Sequence, residues 1–192
     1  MSYYAHPTAV VECEDIGDGT KIWHFVHVRA GSRIGRNCHL GKSVYIDTEA
    51  EVGDNVKIQN FVSVYKGVKI DDDVFVGPAV TFTNDLYPRS FSWDEEHVVP
   101  TRICKGASLG ANSTIICGVT VGAYAMIGAG SVVTRDVPPY ALVLGNPSEI
   151  KGWMCQCGRR LGDIVEEDEY KIRYKCSICG KAIEVEKKWM KG

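Results

Sequence analysis

Four cysteines near the end of the chain carry its plainest chemistry. Cys155 and Cys157 are one residue apart, Cys176 and Cys179 are two apart, and Gly158 and Gly180 follow the second cysteine of each pair. Thiolates are soft ligands, and four of them in two knuckles suit a tetrahedral structural Zn2+. The first knuckle is C-x-C rather than C-x-x-C. The segment between the knuckles has the length of a β-hairpin. It holds too little apolar residue to fold unaided, so a metal staple is expected. A rubredoxin-type iron site and disulfides are the alternatives, and disulfides are rare in a reducing cytoplasm. A closed site of four thiolates has no open position, so it is assigned no catalysis. The other cysteines, Cys13, Cys38, Cys104 and Cys117, lie in the repetitive part of the chain. There Cys38 reads as packing.

Imidazoles and amides supply the acid–base and polar candidates. His24 and His27 sit in IWHFVHV beside Trp23, a bulky residue where the local pattern favours Gly or Asp. Such breaks of a local rule mark functional positions. His24 is a candidate base and His27 a candidate substrate contact. Gln59, Asn60 and Tyr65 occupy similarly atypical positions further on and are candidate substrate or subunit-interface contacts. His97 stands in a stretch of aromatic and charged residues, and the residues around it match no loop-histidine motif, so it is set aside. Asn84 lies in TFTND, just before that stretch. Its amide can orient a polar ligand but cannot take a proton.

A six-residue period positions these groups. Stepping by six from Val10 meets Ile16, Ile22, Val28, Ile34, Leu40, Ile46, Val52, Ile58, Val64, Ile70, Val76 and Phe82. After a break the period resumes at Ile103, Leu109, Ile115, Val121, Ile127 and Val133. Four residues after most of the early aliphatics stands a small or β-branched residue. One residue after many of them stands Gly or Asp, which tolerate left-handed backbone. One such hexad is a short strand plus a turn. Three close a triangular coil, and stacked coils bury a continuous core. A helix would need a period of about 3.6, and hairpins would need turns every 8–12 residues or so. About six coils are expected. Residues 83–102 interrupt the period, and so long a loop inside a solenoid is expected to be functional.

Composition excludes several classes. The net charge of −2 offers no footprint for nucleic acid. No stretch of about 18 apolar residues predicts a membrane span, and no secretory signal is read. A cytoplasmic enzyme is expected. A γ-class carbonic anhydrase would share such a β-helix, but the five histidines form no close pair on a late coil.

The wording of the repeats is similar to a known family. IWHFVHV, KIQNFVSVYKGV, DDVFVGPAVTFTNDLYPR, GASLGANSTIICGVTVG and GAGSVVTRDVPPYALVLGNP resemble the hexapeptide-repeat nucleotide-aminosugar N-acetyltransferases. The likeness covers roughly residues 6–153. The tail over 153–192 lies outside the likeness and is read from its four cysteines as zinc-ribbon-like. The likeness implies a mainly β fold, a left-handed parallel β-helix over residues 1–152 with a loop insertion at 83–102. It implies acetyl transfer from acetyl-CoA to the amine of a nucleotide-linked 3-amino sugar, for surface polysaccharide or glycan synthesis. A UDP-3-amino uronate is favoured and a dTDP-3-amino-dideoxyhexose comes next. Another small acceptor, or a non-catalytic scaffold, is the alternative. The resemblance carries the contact with the sugar amine to Asn84. It implies a homotrimer with sites between subunits, and a coenzyme groove at Gly110, Ala111, Gly128, Ala129, Arg135, Asn146 and Pro147.

Overall fold

The computed structural model describes residues 2–92 and 94–190. Two-residue strands recur along the chain and stack in parallel into three flat faces. Successive coils pair eighteen residues apart, as Lys21 with His39 and Ile22 with Leu40. The first face, from Tyr4–Ala5 to Ala141–Leu144 and closed by Glu149–Trp153, has nine strands. The second, from Val10–Val11 to Val132–Val133, has seven, and the third, from Arg33–Ile34 to Thr120–Val121, has five. Each two-residue strand turns its second residue inward, while Val68–Ile70 and Thr101–Ile103 turn in their first and third. Ile22, Leu40, Ile58, Val76, Leu109 and Ile127 are all buried on the first face. Each such side chain contributes about 1.5–3 kcal/mol on burial. Truncating Ile58 to Ala is therefore expected to cost about 2–5 kcal/mol.

Three details depart from the hexad as read. The first coil is one residue short: Val11, not Val10, pairs with buried Val28, and Val10 is 53% exposed. The solenoid also continues past Val133. Val137 bridges Val121, and Val143 pairs with Ile127. The spacing from Val133 to Val137 is four, which hides this last coil from a six-residue step. Finally, the excursion ends at residue 100, because Thr101–Ile103 is already a strand paired with Val68–Ile70. Thr101 is buried although it is not aliphatic, because its hydroxyl accepts the Gly118 amide. The register across the break is 33 residues (Val68 to Thr101) against 18 between the regular coils, so the excursion adds 15.

The Gly after the aliphatic is not the left-handed residue. Positive φ falls two residues later, at Phe25, Asn37, Asn55 and Phe61. Gly35 is needed for a different reason: a Cβ there would lie 2.5 Å from backbone atoms of Gly53 in the next coil.

The tail forms a three-stranded antiparallel sheet of Asp163–Glu167, Lys171–Lys175 and Ala182–Glu186. Ile172, Tyr174, Ile183 and Val185 are its buried side. Strand Glu149–Trp153 pairs antiparallel with Ala141–Leu144 and so runs through the expected boundary at 152/153. Trp153 and Met154 are buried against the end of the solenoid, and Met154 donates its amide to the Tyr140 carbonyl.

Candidate active site and metal centre

The candidate residues divide between two corners of the triangle. The first corner joins the first face to the second and carries a column of turns. On it stand His24, Gln59, Asn60, Gly110, Ala111, Gly128 and Ala129, with Asn146 and Pro147 in the turn between Ala141–Leu144 and Glu149–Trp153. The second corner joins the second face to the third. On it stand Tyr65, Asn84 and, near the end of the solenoid, Arg135. A single protomer therefore does not unite His24 with Asn84. They lie on different corners because their turns fall on opposite sides of the second face, one before and one after its strand.

Early on the first corner, side-chain oxygens bind the turn of the preceding coil. Asn60 Oδ1 accepts the Lys42 amide at 2.8 Å. That carbonyl oxygen is thus committed to stacking. The third corner repeats the device, with Asp54 Oδ1 on the Arg36 amide and Asp72 Oδ1 on the Asp54 amide. Later on the first corner the acceptor is missing. Position 78 is Pro and positions 111 and 129 are Ala, and the amides of Asn60, Ala111 and Ala129 all lack an acceptor among the described residues. Neither alanine is buried. Two free donors on one column, bounded by glycines that permit close approach, can bind carbonyls of an extended ligand. Gly110 is required there, since a Cβ would lie 2.4 Å from the Ala129 nitrogen.

At the foot of the column His24 stacks on His6 with ring centroids 3.5 Å apart, and Trp23 lies 5.5 Å from His39. Phe25 and Phe61 are exposed and hold φ near +60°. Lys42 lies between them, 5.9 and 5.8 Å from the two rings. Bulky side chains in left-handed backbone are costly and concentrate at functional or interface positions.

On the second face His27 meets Glu12 at 3.4 Å and packs edge-on against Tyr45, which in turn lies 6.2 Å from Tyr65. This ladder leads to the neck of the excursion. Lys66, eighteen residues before Asn84, bonds Glu95 in the excursion and pairs with Glu49. Asp47 anchors this corner: it accepts from the Arg29 guanidinium, the Tyr45 hydroxyl and the amides of Thr48 and Lys66. Burial opposes ionisation of its carboxyl, but these donors outweigh it and hold the carboxyl below its ordinary value.

Asn84 closes the neck through its backbone, whose carbonyl accepts the Val99 amide at 2.9 Å. Its side-chain amide bonds no group of the described residues, so it is available to a ligand. Next to it is a group that the sequence reading did not single out. Asp85 Oδ1 accepts the Tyr87 amide, but Oδ2 is buried without a hydrogen-bond partner and lies 3.8 Å from His97 Nδ1. A buried carboxylate oxygen without a donor is costly, and the histidine beside it is the one set aside from sequence. The signal was present in the spacing only as Asp and His twelve residues apart on the two limbs of one loop. Tyr87 and Phe91, at its tip, are more than four-fifths exposed.

The four Sγ atoms of Cys155, Cys157, Cys176 and Cys179 lie within 4.8 Å of one another. Tetrahedral Zn–S geometry calls for sulfurs about 3.8 Å apart, and Cys155 to Cys179 is 3.4 Å and Cys157 to Cys176 is 3.6 Å. The amides of Cys179 and Ile178 pull the Cys176 thiol down to about 6. Burial pushes Cys155 up to about 12. The set therefore fits a divalent thiophilic ion that displaces the remaining protons.

Comparison with known proteins gives the following. The model for the bacterial transferase hexapeptide (six repeats) matches residues 15–48, 49–84 and 100–135, leaving out the excursion. Over 164 residues, 82% of each chain, the sequence is 50% identical to a dTDP-3-amino-3,6-dideoxy-α-D-galactopyranose 3-N-acetyltransferase of Aneurinibacillus thermoaerophilus. Among solved structures, a histidine-to-alanine variant of GDP-perosamine N-acetyltransferase from Caulobacter crescentus, in complex with CoA and GDP-perosamine, is similar at TM-score 0.52 and 27% identity. That likeness covers 78% of this chain and 56% of that one. A hexapeptide-repeat acetyltransferase of Vibrio cholerae complexed with acetyl-CoA matches at TM-score 0.52 and 27% identity, over 60% of this chain and 67% of that one.

Proposed function

The chain belongs to the bacterial transferase hexapeptide family, and from that premise we propose that it transfers the acetyl group of acetyl-CoA to the 3-amine of a dTDP-linked 3-amino-3,6-dideoxyhexose. One observation carries this reading: half-identity to a dTDP-aminosugar N-acetyltransferase across 82% of both chains. It reverses the order of preference drawn from the sequence, in which the UDP-uronate came first. At the level of class, the chain is an acetyltransferase.

The free amides of Ala111 and Ala129 support a coenzyme laid along the first corner, with carbonyls of its pantetheine arm as their acceptors. The amine attacks the thioester carbonyl carbon, the C–S bond breaks, and one amine proton leaves. Alignment of a neutral amine accounts for much of the rate. The Asn84 amide oxygen orients that amine. His97, which faces Asp85, is the acceptor for the departing proton and returns it to the coenzyme sulfur. The placement of Asn84 and His24 on different corners supports a site shared between protomers, hence the homotrimer. In the tail, Cys155, Cys157, Cys176 and Cys179 hold a structural Zn2+ that closes the fold and takes no part in transfer.

Mass spectrometry on the purified protein with acetyl-CoA and a panel of UDP- and dTDP-linked 3-amino sugars tests the reading. One added acetyl group on a dTDP-3-amino-3,6-dideoxyhexose is expected. Preference for a UDP-uronate would restore the earlier order. Coenzyme binding without transfer to any member would sink the aminosugar assignment.

A further inference from the structure

The four tail sulfurs pair by exposure as well as by distance. Cys155 and Cys176 are each 2% exposed, whereas Cys157 and Cys179 are exposed. Cys155 Sγ lies 3.4 Å from Cys179 Sγ, and Cys157 Sγ lies 3.6 Å from Cys176 Sγ. Each contact joins a sulfur that solvent reaches to one that it does not. Each also crosses from one knuckle to the other. A disulfide bond is about 2.05 Å long, so closing either contact brings the sulfurs together by about 1.5 Å.

The cysteines of the solenoid are placed differently. The Cys13 and Cys38 thiols are buried and donate to the Ser32 and Gly53 carbonyls, each at 3.0 Å. Cys117 is buried and Cys104 half-buried, so Cys157 and Cys179 are the thiols that a solute in water meets first. The knuckles are also tied to the coils. Gln156, between the two ligands of the first knuckle, donates to the Tyr140 hydroxyl at 3.1 Å and accepts from Lys181 Nζ at 2.9 Å. Tyr140 stacks on Tyr124 with ring centroids 5.5 Å apart. A bond that holds the two knuckles together therefore preserves this bridge to the last coils.

We propose that the tail cluster is an oxidation site as well as a metal site: a peroxide converts each exposed and buried pair into a cross-knuckle disulfide, zinc leaves, and the two bonds staple the tail in its place. The Cys157 thiolate attacks a peroxide oxygen, the O–O bond breaks, and hydroxide leaves to become water on taking up a proton. The sulfenic acid so formed is attacked by the Cys176 thiolate. The S–S bond forms, the S–O bond breaks, and a second proton carries the hydroxide away as water. Cys179 and Cys155 repeat the sequence. Two peroxides and four protons are consumed, and four waters and one Zn2+ are released. Zinc-bound thiolates are already deprotonated, so no base is needed. The proposal rests on the zinc reading of the tail and is independent of acetyl transfer.

Full-length, zinc-loaded protein is treated with hydrogen peroxide and followed by a zinc-binding dye, thiol titration, mass spectrometry and hydrogen exchange. Release of about one zinc per chain is expected, with loss of four of the eight thiols. Fragmentation between the cysteines should assign the bonds as Cys155 to Cys179 and Cys157 to Cys176. Exchange across 163–186 should stay as slow as in the zinc-loaded protein, whereas chelation of the reduced protein raises it. A dithiol reductant with added zinc should restore the starting state. Cys179→Ser should lose two thiols rather than four, and Cys104→Ser should release zinc as wild type does. Bonds within one knuckle, oxidation that runs on to sulfinic acid, or exchange that rises as it does on chelation would each overturn the proposal. Metal analysis before treatment separates the two failures: zinc that peroxide does not release sinks the oxidation site alone, and absence of zinc sinks the metal reading with it.

Discussion

Two neighbouring residues at the loop neck do separate work. The Asn84 backbone closes the neck while its amide stays free. Asn84→Ala should therefore leave the thermal midpoint nearly unchanged and lower kcat/KM by about 10²-fold, as loss of one preorganised polar group typically does. Steady-state rates beside a melting curve check this, and an unaltered kcat/KM would remove Asn84 from the site. Asp85 and His97 face each other, with Asp85 Oδ2 buried and lacking a donor. If they act as a unit, Asp85→Asn slows turnover in the wild-type background and has almost no further effect in a His97→Ala background. Additive losses in that double-mutant cycle would separate them.

At the scale of elements, the excursion and the tail depend on anchors of different kinds. Asp47 ties the second corner together through four donors, and Lys66, whose amide is one of them, holds Glu95 of the excursion. Because its folded-state value is lowered from 3.8, the stability it supplies is complete above that pH and is lost as the pH falls through the lower folded value. Thermal melts should thus show a loss of stability beginning below about pH 4. Asp47→Asn should cost about 1–3 kcal/mol at neutral pH and flatten that acid limb. The tail buries few side chains of its own, so the proposed metal at its cysteines is expected to anchor it. Elemental analysis should find about one zinc per chain. Chelation or Cys176→Ser should raise hydrogen exchange across 163–186 while the coils between 21 and 133 stay protected. Equal loss in both regions would show that the tail supports the solenoid.

At the scale of the molecule, the division of candidate residues between two corners makes a prediction about assembly. Suppose each site takes the first corner of one protomer and the loop neck of the next. An Ala111→Pro variant, lacking one free amide, and Asn84→Ala would then both be poor enzymes alone. Mixed after reversible dissociation, they should recover about a quarter of the wild-type sites, because half the protomers supply each intact part. No recovery in verified mixed oligomers would place the whole site within one protomer. The sequence by itself determined the solenoid, since each inward Ile, Leu or Val must meet its like every six residues to leave water. It also determined the family and the four cysteines, whose spacing is local. It misplaced Val10, ended the coils at Val133 and ran the excursion to residue 102, because a five- or four-residue step and a buried Thr101 leave no periodic trace. Only the tertiary structure decided which turns face one another, and so which candidates share an edge. It alone brought Asp85 beside His97 across a loop, freed the amides of Ala111 and Ala129, and laid Arg160 and Trp189 of the tail beside Arg135. Those contacts depend on stacking between distant segments, where the position of a residue in the coil outweighs its neighbours in the chain.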